Sequence, residues 1–414
     1  MAVEAHRLLR IRGLDGVAVA TLFLAAACAG VVFREPSPYD VMMGALMVGF
    51  AVAGLHVPRA AAPLALLLAA YVVGAFAGAA RTSDVETSLV HSWVTFYLAA
   101  TALFFACVAA WQPARALGAI FAGTLAGALV AALAGIAGYF DLVPGSGELF
   151  TLYGRARGTF KDPNVFAPFL VLPLLYAAYR LVSARFLPSL AWAAAAAVLL
   201  AGLFLSFSRG GWLNFAISAA MFTLLMTTAL PDRRLSLRTT LLAMLGTAVI
   251  ACTLAWAVGA SEIGELFARR AQLAQPYDTS VAGRFAGQLK AMAVIVAEPL
   301  GIGYGAFERH HPEQPHNVYL NAFLNAGWLG GFAYLTLVLV TFMRALTLAL
   351  RHTPMQPLVI VLCASFVGLM VEGLFVDTDH WRHFMMVLGL IWGMAALAPE
   401  PRALRRTAAD AGAV

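Results

Sequence analysis

Charge is what this sequence has least of. Asp, Glu, Lys and Arg make up 12% of its 414 residues, while 62% of the chain is hydrophobic. A soluble domain carries about a quarter charged residues, so a water-soluble globular enzyme and a disordered chain are both excluded. Cysteine is scarce as well. Cys28, Cys107, Cys252 and Cys363 stand isolated within apolar segments, which excludes a disulfide framework and the close cysteine pairs of a zinc site. No repeat or low-complexity tract stands out beyond Ala-rich stretches such as AWAAAAAVLL, where small residues let helices approach closely in lipid. The first apolar run meets Arg34, Glu35 and Pro36 rather than a small-residue cleavage site, so it reads as a retained span.

What is present is a succession of apolar runs. About 20 apolar residues cross about 30 Å of hydrocarbon as a helix. That template fits near 16 to 33, 40 to 57, 61 to 80, 89 to 111, 117 to 139, 164 to 182, 189 to 207, 211 to 230, 239 to 258, 317 to 343, 355 to 376 and 384 to 399. The expected fold is an all-α polytopic membrane protein of about 12 transmembrane helices, one membrane domain over 1 to 414, with both termini cytoplasmic.

Orientation follows from where the cations fall. With the N-terminus inside, the inner segments hold fifteen cations against five acids and the outer segments twelve against sixteen, as the positive-inside rule requires. The net charge of +6 therefore orients the chain and needs no nucleic-acid partner. Several outer cations run against this gradient: Arg155, Arg157 and Lys161 before the sixth span, Arg209 between the seventh and eighth, and Arg269, Arg270, Arg284, Lys290 and Arg309 in the longest loop, 259 to 315. Pairing with loop carboxylates such as Glu148, Asp162, Glu262 and Glu265 accounts for such cations as well as an anionic ligand does. Within that loop, SEIGELFARRAQLAQ has helical spacing, PYDTSVAG reads as a turn, and RFAGQLKAMAVIVA reads as an amphipathic helix closed by glycine-rich EPLGIGYGAF. Together they suggest a lid of short helices lying on the membrane at the outer face.

Four outer segments carry the chemistry: RARGTFKDPN at 155 to 164, FSRGGW at 207 to 212, GRFAGQLK at 283 to 290, and PHNVYLNAFLNAGWLGG at 315 to 331. They offer several guanidiniums and one imidazole at a membrane interface. Guanidinium forks match phosphate oxygens, and an imidazole is suited to accept a proton near neutrality.

The His-Asn pair followed by Gly-x-x-Gly (His316, Asn317, Gly327, Gly330), with Gly283-Arg284, Ser208-Arg209 and the RGTFKDPN run in the same order, resembles the O-antigen ligase and polymerase superfamily. The resemblance implies a metal-independent, inverting glycosyltransferase without cofactor. It would take a glycan from an undecaprenyl-diphosphate carrier in the inner membrane and pass it to an acceptor hydroxyl on the periplasmic face. It further implies that Arg209 and Arg284 hold the diphosphate and that His316 acts on the acceptor; Arg157, Lys161, Asn164, Asn317 and Glu372 are candidate substrate contacts beside them.

Plainer readings stand beside these. His316 also fits an interfacial residue capping the tenth span, and Asn164 and Asn317 fit helix caps as readily as ligand contacts. Glu372, the one acid well within an apolar segment, is expected to be functional or paired, and an ion pair with one of the arginines would orient it. Asp377, Asp379, His380 and His383 are metal-ligand types without a ligand spacing, so no metal site is assigned. His310 and His311 read as solvated. Among rival functions, a flippase or ion-coupled transporter would carry ionisable groups at mid-membrane, which these spans lack. A peptidoglycan-type polymerase would rely on an outer carboxylate, for which Asp278, Glu298 and Glu308 are unmarked candidates. Between ligase and O-antigen or exopolysaccharide polymerase the reading leans to ligase, with lipid A core as acceptor.

Overall fold

Runs of Ala, Leu, Val and Phe with no water to bond their backbones close every hydrogen bond within the segment, and the helix does this in lipid. A computed structural model of the chain describes residues 14–259, 279–280 and 283–397. Its helices are α1 (Leu14–Cys28), α2 (Pro38–Val52), α3 (Ala62–Ala79), α4 (Val85–Trp111), α5 (Pro113–Tyr139), the short α6 (Ser146–Phe150), α7 (Pro163–Ser183), α8 (Phe186–Leu205), α9 (Arg209–Thr228), α10 (Arg233–Gly259), α11 (Arg284–Ala297), α12 (Val318–Ala349), α13 (Gln356–Glu372) and α14 (Arg382–Ala395). Among the described residues eight helices are long and apolar enough to cross a membrane, and four shorter apolar ones, α1, α2, α13 and α14, occupy the other predicted spans. The chain is a helical multi-pass membrane protein. The predicted helix at 261 to 275, most of the predicted turn after it, Asp278 and both termini lie outside the described residues.

The shorter helices differ from expectation for local reasons. The run predicted over 16 to 33 stops at Cys28. The chain there turns extended, Val32 N–H donates to the Thr159 carbonyl at 2.8 Å, and Thr159 Oγ1 donates to the Gly30 carbonyl. The run predicted over 355 to 376 stops at Glu372, because residues 373 to 381 leave the helix to line one end of the bundle. One departure from an all-helical fold is a two-stranded antiparallel ribbon, β1 (Thr151–Leu152) with β2 (Arg155–Ala156), which holds the start of the RARGTF segment.

α13 is the axis of the bundle. Val359 to Leu369 are buried on every face, as a helix apolar all round must be when others surround it, and α7, α9, α12 and α14 pack against it. Outside it, α3 lies along α12, α4 along α14, α1 along α5, and α7 along α8. Small residues set these approaches. A Cβ on Gly389 or Gly393 of α14 would lie 2.2 or 2.3 Å from the Ala102 or Ala106 carbonyl oxygen of α4, so those backbones are in van der Waals contact.

Candidate active site

The link between α8 and α9 is built around a buried arginine of β2. Arg155, 7% exposed, donates from Nε to the Ser206 carbonyl and from Nη2 to Asn164 Oδ1, both at 2.8 Å. Ser208 Oγ donates to the same Asn164 oxygen at 3.0 Å and accepts from Gly211 N–H at 3.2 Å, capping α9. Phe207 is held at φ +47, a left-handed conformation costly for an aromatic residue. The outcome is that Arg209 occupies the first turn of α9 at the membrane end of a sharply turned link.

Residues 372 to 377 collect the remaining motifs. Glu372 is fully buried, and its Oε2 accepts from Asn214 Nδ2 of α9 at 2.7 Å. A Cβ at Gly210 would lie 2.9 Å from Glu372 Oε1, so the residue after Arg209 rests on this carboxylate. The expected ion pair between Glu372 and an arginine is not formed among the described residues: an amide holds one oxygen, and the other has no partner. Three residues on, the Phe375 carbonyl accepts from Arg284 Nη1 at 3.4 Å, and Gln288 of the same helix reaches the Leu374 and Pro315 carbonyls at 3.5 and 3.1 Å. Gly373 O accepts from Val318 N–H at 2.9 Å, which ties the start of α12 to the same segment.

His316 is clamped between two carboxylates. Its Nε2 lies 3.0 Å from Glu313 Oε1 and its Nδ1 3.9 Å from Asp377 Oδ2. The second gap is too wide for a hydrogen bond, yet one hydroxyl oxygen could sit within bonding distance of both atoms. The residue has φ +45, a strained backbone for a non-glycine, of the kind that clusters at functional sites. Asp377 also accepts from Asn321 Nδ2 at 2.5 Å. Desolvation and the neighbouring Asp379 carboxylate push the Asp377 carboxyl up to about 6, against the pull of His316, Asn321 and Arg284. Asn317 caps α12, its Oδ1 accepting from Tyr319 and Leu320 N–H at 3.1 and 3.2 Å.

The Gly-x-x-Gly spacing has two separate structural reasons. Gly327 breaks α12 at φ +64, ψ −169, a conformation open only to glycine. Across the break the loop from α11 supplies replacement bonds: Ile302 N–H to the Leu324 carbonyl at 2.7 Å and Trp328 N–H to the Pro299 carbonyl at 2.8 Å. At Gly330 an added Cβ would instead lie 2.2 Å from the Ala326 Cβ one turn back and 3.4 Å from the Tyr71 carbonyl oxygen of α3. α11 itself forms as the spacing of RFAGQLKAMAVIVA predicts.

Other predicted contacts fall elsewhere. Arg157 donates to the Leu149 carbonyl at 3.3 and 3.1 Å, and Lys161 pairs with Glu35 at 3.0 Å, both removed from His316 in the bonding network. The Asp and His run divides: Asp377 faces His316, while His383 is buried against Trp381 and Phe169. Asp379 and His380 meet His91 of α4, with ligand atoms within 4.8 Å of one another. These three could hold a cation. Asp379 already accepts from Tyr71 OH at 2.7 Å, His380 Nε2 lies 2.8 Å from Thr95 Oγ1, and the two imidazoles stack face to face at 4.0 Å, an orientation that does not converge their lone pairs. Burial holds the His380 imidazole below its ordinary pKa, against the opposing pull of Asp379. Glu313, Asn214 and Gln288 went unmarked in the sequence; only their contacts with His316, with Glu372 and with the Pro315 and Leu374 carbonyls distinguish them from ordinary polar residues.

The chain is thus a multi-pass helical membrane protein whose bundle brings Arg209, Arg284 and an imidazole flanked by two carboxylates toward one end. Residues 194–335 match the O-antigen ligase family (Wzy_C), which supports the O-antigen ligase-like superfamily for this chain. The matched stretch includes Arg209, Arg284, His316, Asn317, Gly327 and Gly330. Members of that family are membrane glycosyltransferase-like enzymes acting on lipid-linked glycans. No curated protein matches the chain.

Proposed function

We propose that the chain transfers a glycan from an undecaprenyl-diphosphate carrier to an acceptor hydroxyl at the periplasmic face of the inner membrane, as a ligase acting on lipid A core. The observation that carries this reading is the convergence of the three matched motifs on residues 372 to 377: Gly210 beside Glu372, Arg284 on Phe375 O, His316 beside Asp377. The described part of the outer loop, 283 to 315, would form a lid over that cleft.

In this mechanism Arg209 and Arg284 hold the diphosphate, whose oxygens gain negative charge as the bond from the sugar anomeric carbon breaks. Fixed cations in a poorly hydrated cleft stabilise that charge, so no divalent ion is called for. Glu313 binds Nε2–H of His316, which leaves the Nδ1 lone pair facing Asp377 and the acceptor hydroxyl between them. The acceptor oxygen bonds the anomeric carbon on the face opposite the leaving group and inverts the centre. Its proton goes to Nδ1, and the pair of electrons from the broken bond leaves with the diphosphate. Asn317 and Asn164 position the site through the caps and bonds already described, and Arg157 and Lys161 would meet the glycan outside the reacting centre.

The test is a detergent-purified assay with lipid-diphosphate glycan and separate acceptors. His316→Ala is expected to abolish transfer while the protein stays folded, and lipid A core rather than a second lipid-linked repeat is expected to accept. Transfer to the repeat alone would replace ligase with polymerase. Full activity of His316→Ala would remove the proposed base.

A further inference from the structure

At the end of the bundle opposite His316, Arg59, Arg344 and Arg351 line an open cavity of about 790 Å³ between the turn Arg59–Ala61, α12 and the end of α14. From His316 to Arg344 the chain runs about 40 Å of helix at 1.5 Å per residue, so this cavity is separate from the site described above. Its remaining wall is mainly apolar, including Pro63, Leu339 and Met343, of which the last two are exposed along the bundle's side. Arg344 lies over the Trp392 ring, 3.9 Å from its centroid, which fixes its stem within an otherwise apolar helix.

Three of the other arginines at this end are engaged within the protein. Arg115 faces Asp15 at 3.7 Å, Arg180 donates to Tyr176 OH at 2.8 Å and lies over Trp192, and Arg238 donates to the Val182 and Ala184 carbonyls at 2.9 and 3.1 Å. Among the described residues no carboxylate pairs with Arg59, Arg344 or Arg351. Two guanidiniums from α12 and its C-terminal end and one from the Arg59–Ala61 turn therefore line one cavity with no paired carboxylate among the described residues, and an arginine at an apolar wall favours an anionic partner. The apolar wall continuing from the charges suits an anion that carries hydrocarbon chains.

We propose that this cavity binds the head group of an anionic phospholipid, its phosphate gripped by Arg59, Arg344 and Arg351 and its acyl chains lying along Leu339 and Met343. Fork-shaped donors match phosphate oxygens bidentately, and basic pockets between spans are where anionic head groups bind. The inference needs only the membrane setting and is independent of the glycan-transfer reading.

The experiment uses the delipidated full-length protein in detergent, titrated with phosphatidylglycerol, phosphatidylcholine or inorganic phosphate, with thermal unfolding and native mass spectrometry as readouts. Phosphatidylglycerol is expected to raise the unfolding temperature and remain bound, while the other two do neither. Each arginine replaced by glutamine is expected to weaken binding about fivefold. Because Arg344→Gln loses its packing on Trp392, the Arg59→Gln/Arg351→Gln double variant is the primary test, with about twenty-fivefold weaker binding expected. Equal stabilisation by phosphatidylcholine, equal stabilisation by inorganic phosphate, or unchanged binding in the double variant would each overturn the proposal.

Discussion

Replacing Asp377 by asparagine should make the protein more stable and less active at once. The carboxyl has an ordinary pKa of 3.8 and is pushed up to about 6 in the fold, first by desolvation and then by Asp379. Between those values the native state holds a proton that the unfolded chain has released, so stability falls as pH rises from about 4 through about 6, and above that the full penalty is present. Raising a carboxyl that far would cost about 3 kcal/mol in an enclosed site. With 38% of the side chain exposed, solvent screening reduces this to about 1 kcal/mol. Asp377→Asn keeps an oxygen for Asn321 and removes the charge. Thermal unfolding in detergent should then rise by roughly 1–2 °C at about pH 7.5 and by almost nothing at about pH 4.5. Transfer should fall on the order of 10²-fold, because the imidazolium formed when His316 Nδ1 takes the acceptor proton loses the carboxylate charge that stabilises it. A variant that is less stable at both pH values, or fully active, refutes the reasoning: the first makes Asp377 a structural residue and the second leaves His316 working without it.

Other outcomes follow from the same geometry. Asn214→Leu strips Glu372 of its hydrogen bond in a fully buried place and should cost about 3 kcal/mol; adding Glu372→Met should recover most of that loss in a thermal unfolding series, since both polar partners are then gone. Arg284→Lys loses the planar fork that reaches Phe375 O and should cut transfer on the order of 10²-fold with the fold intact, read as kcat in the lipid-diphosphate assay. Gly327→Ala puts a Cβ 2.6 Å from the Leu300 carbonyl carbon at φ +64 and should abolish recovery of folded protein by size-exclusion. Gly118→Ala, with nothing within 4 Å of the added atom, should instead gain about 0.5–1 kcal/mol.

How much of this was legible beforehand differs between fold and site. The positions of the helices were, because hydrocarbon imposes one length and one composition on anything that crosses it. All twelve predicted runs correspond to helices, eight of spanning length and four shorter. The motifs of the candidate site were legible as well: His316, Arg209 and Arg284 stand out by residue type and place. Their surroundings were not. Glu372 was marked as a residue needing a partner, but an arginine was expected and Asn214 is found. Asp377 sat in a run whose spacing pointed to nothing, and Glu313 looked like any loop acid.

Composition and pattern, then, determined that this chain is a helical membrane protein, since solvation of apolar surface depends on residue type alone. The tertiary structure decided which side chains meet. Pairing Glu372 with Asn214 spans 158 positions, and bringing Asp377 to His316 requires α13 to stop short of its apolar run. Such contacts are set by how whole helices pack and where their ends fray into loops, and no local pattern encodes the partner at the far end of another helix.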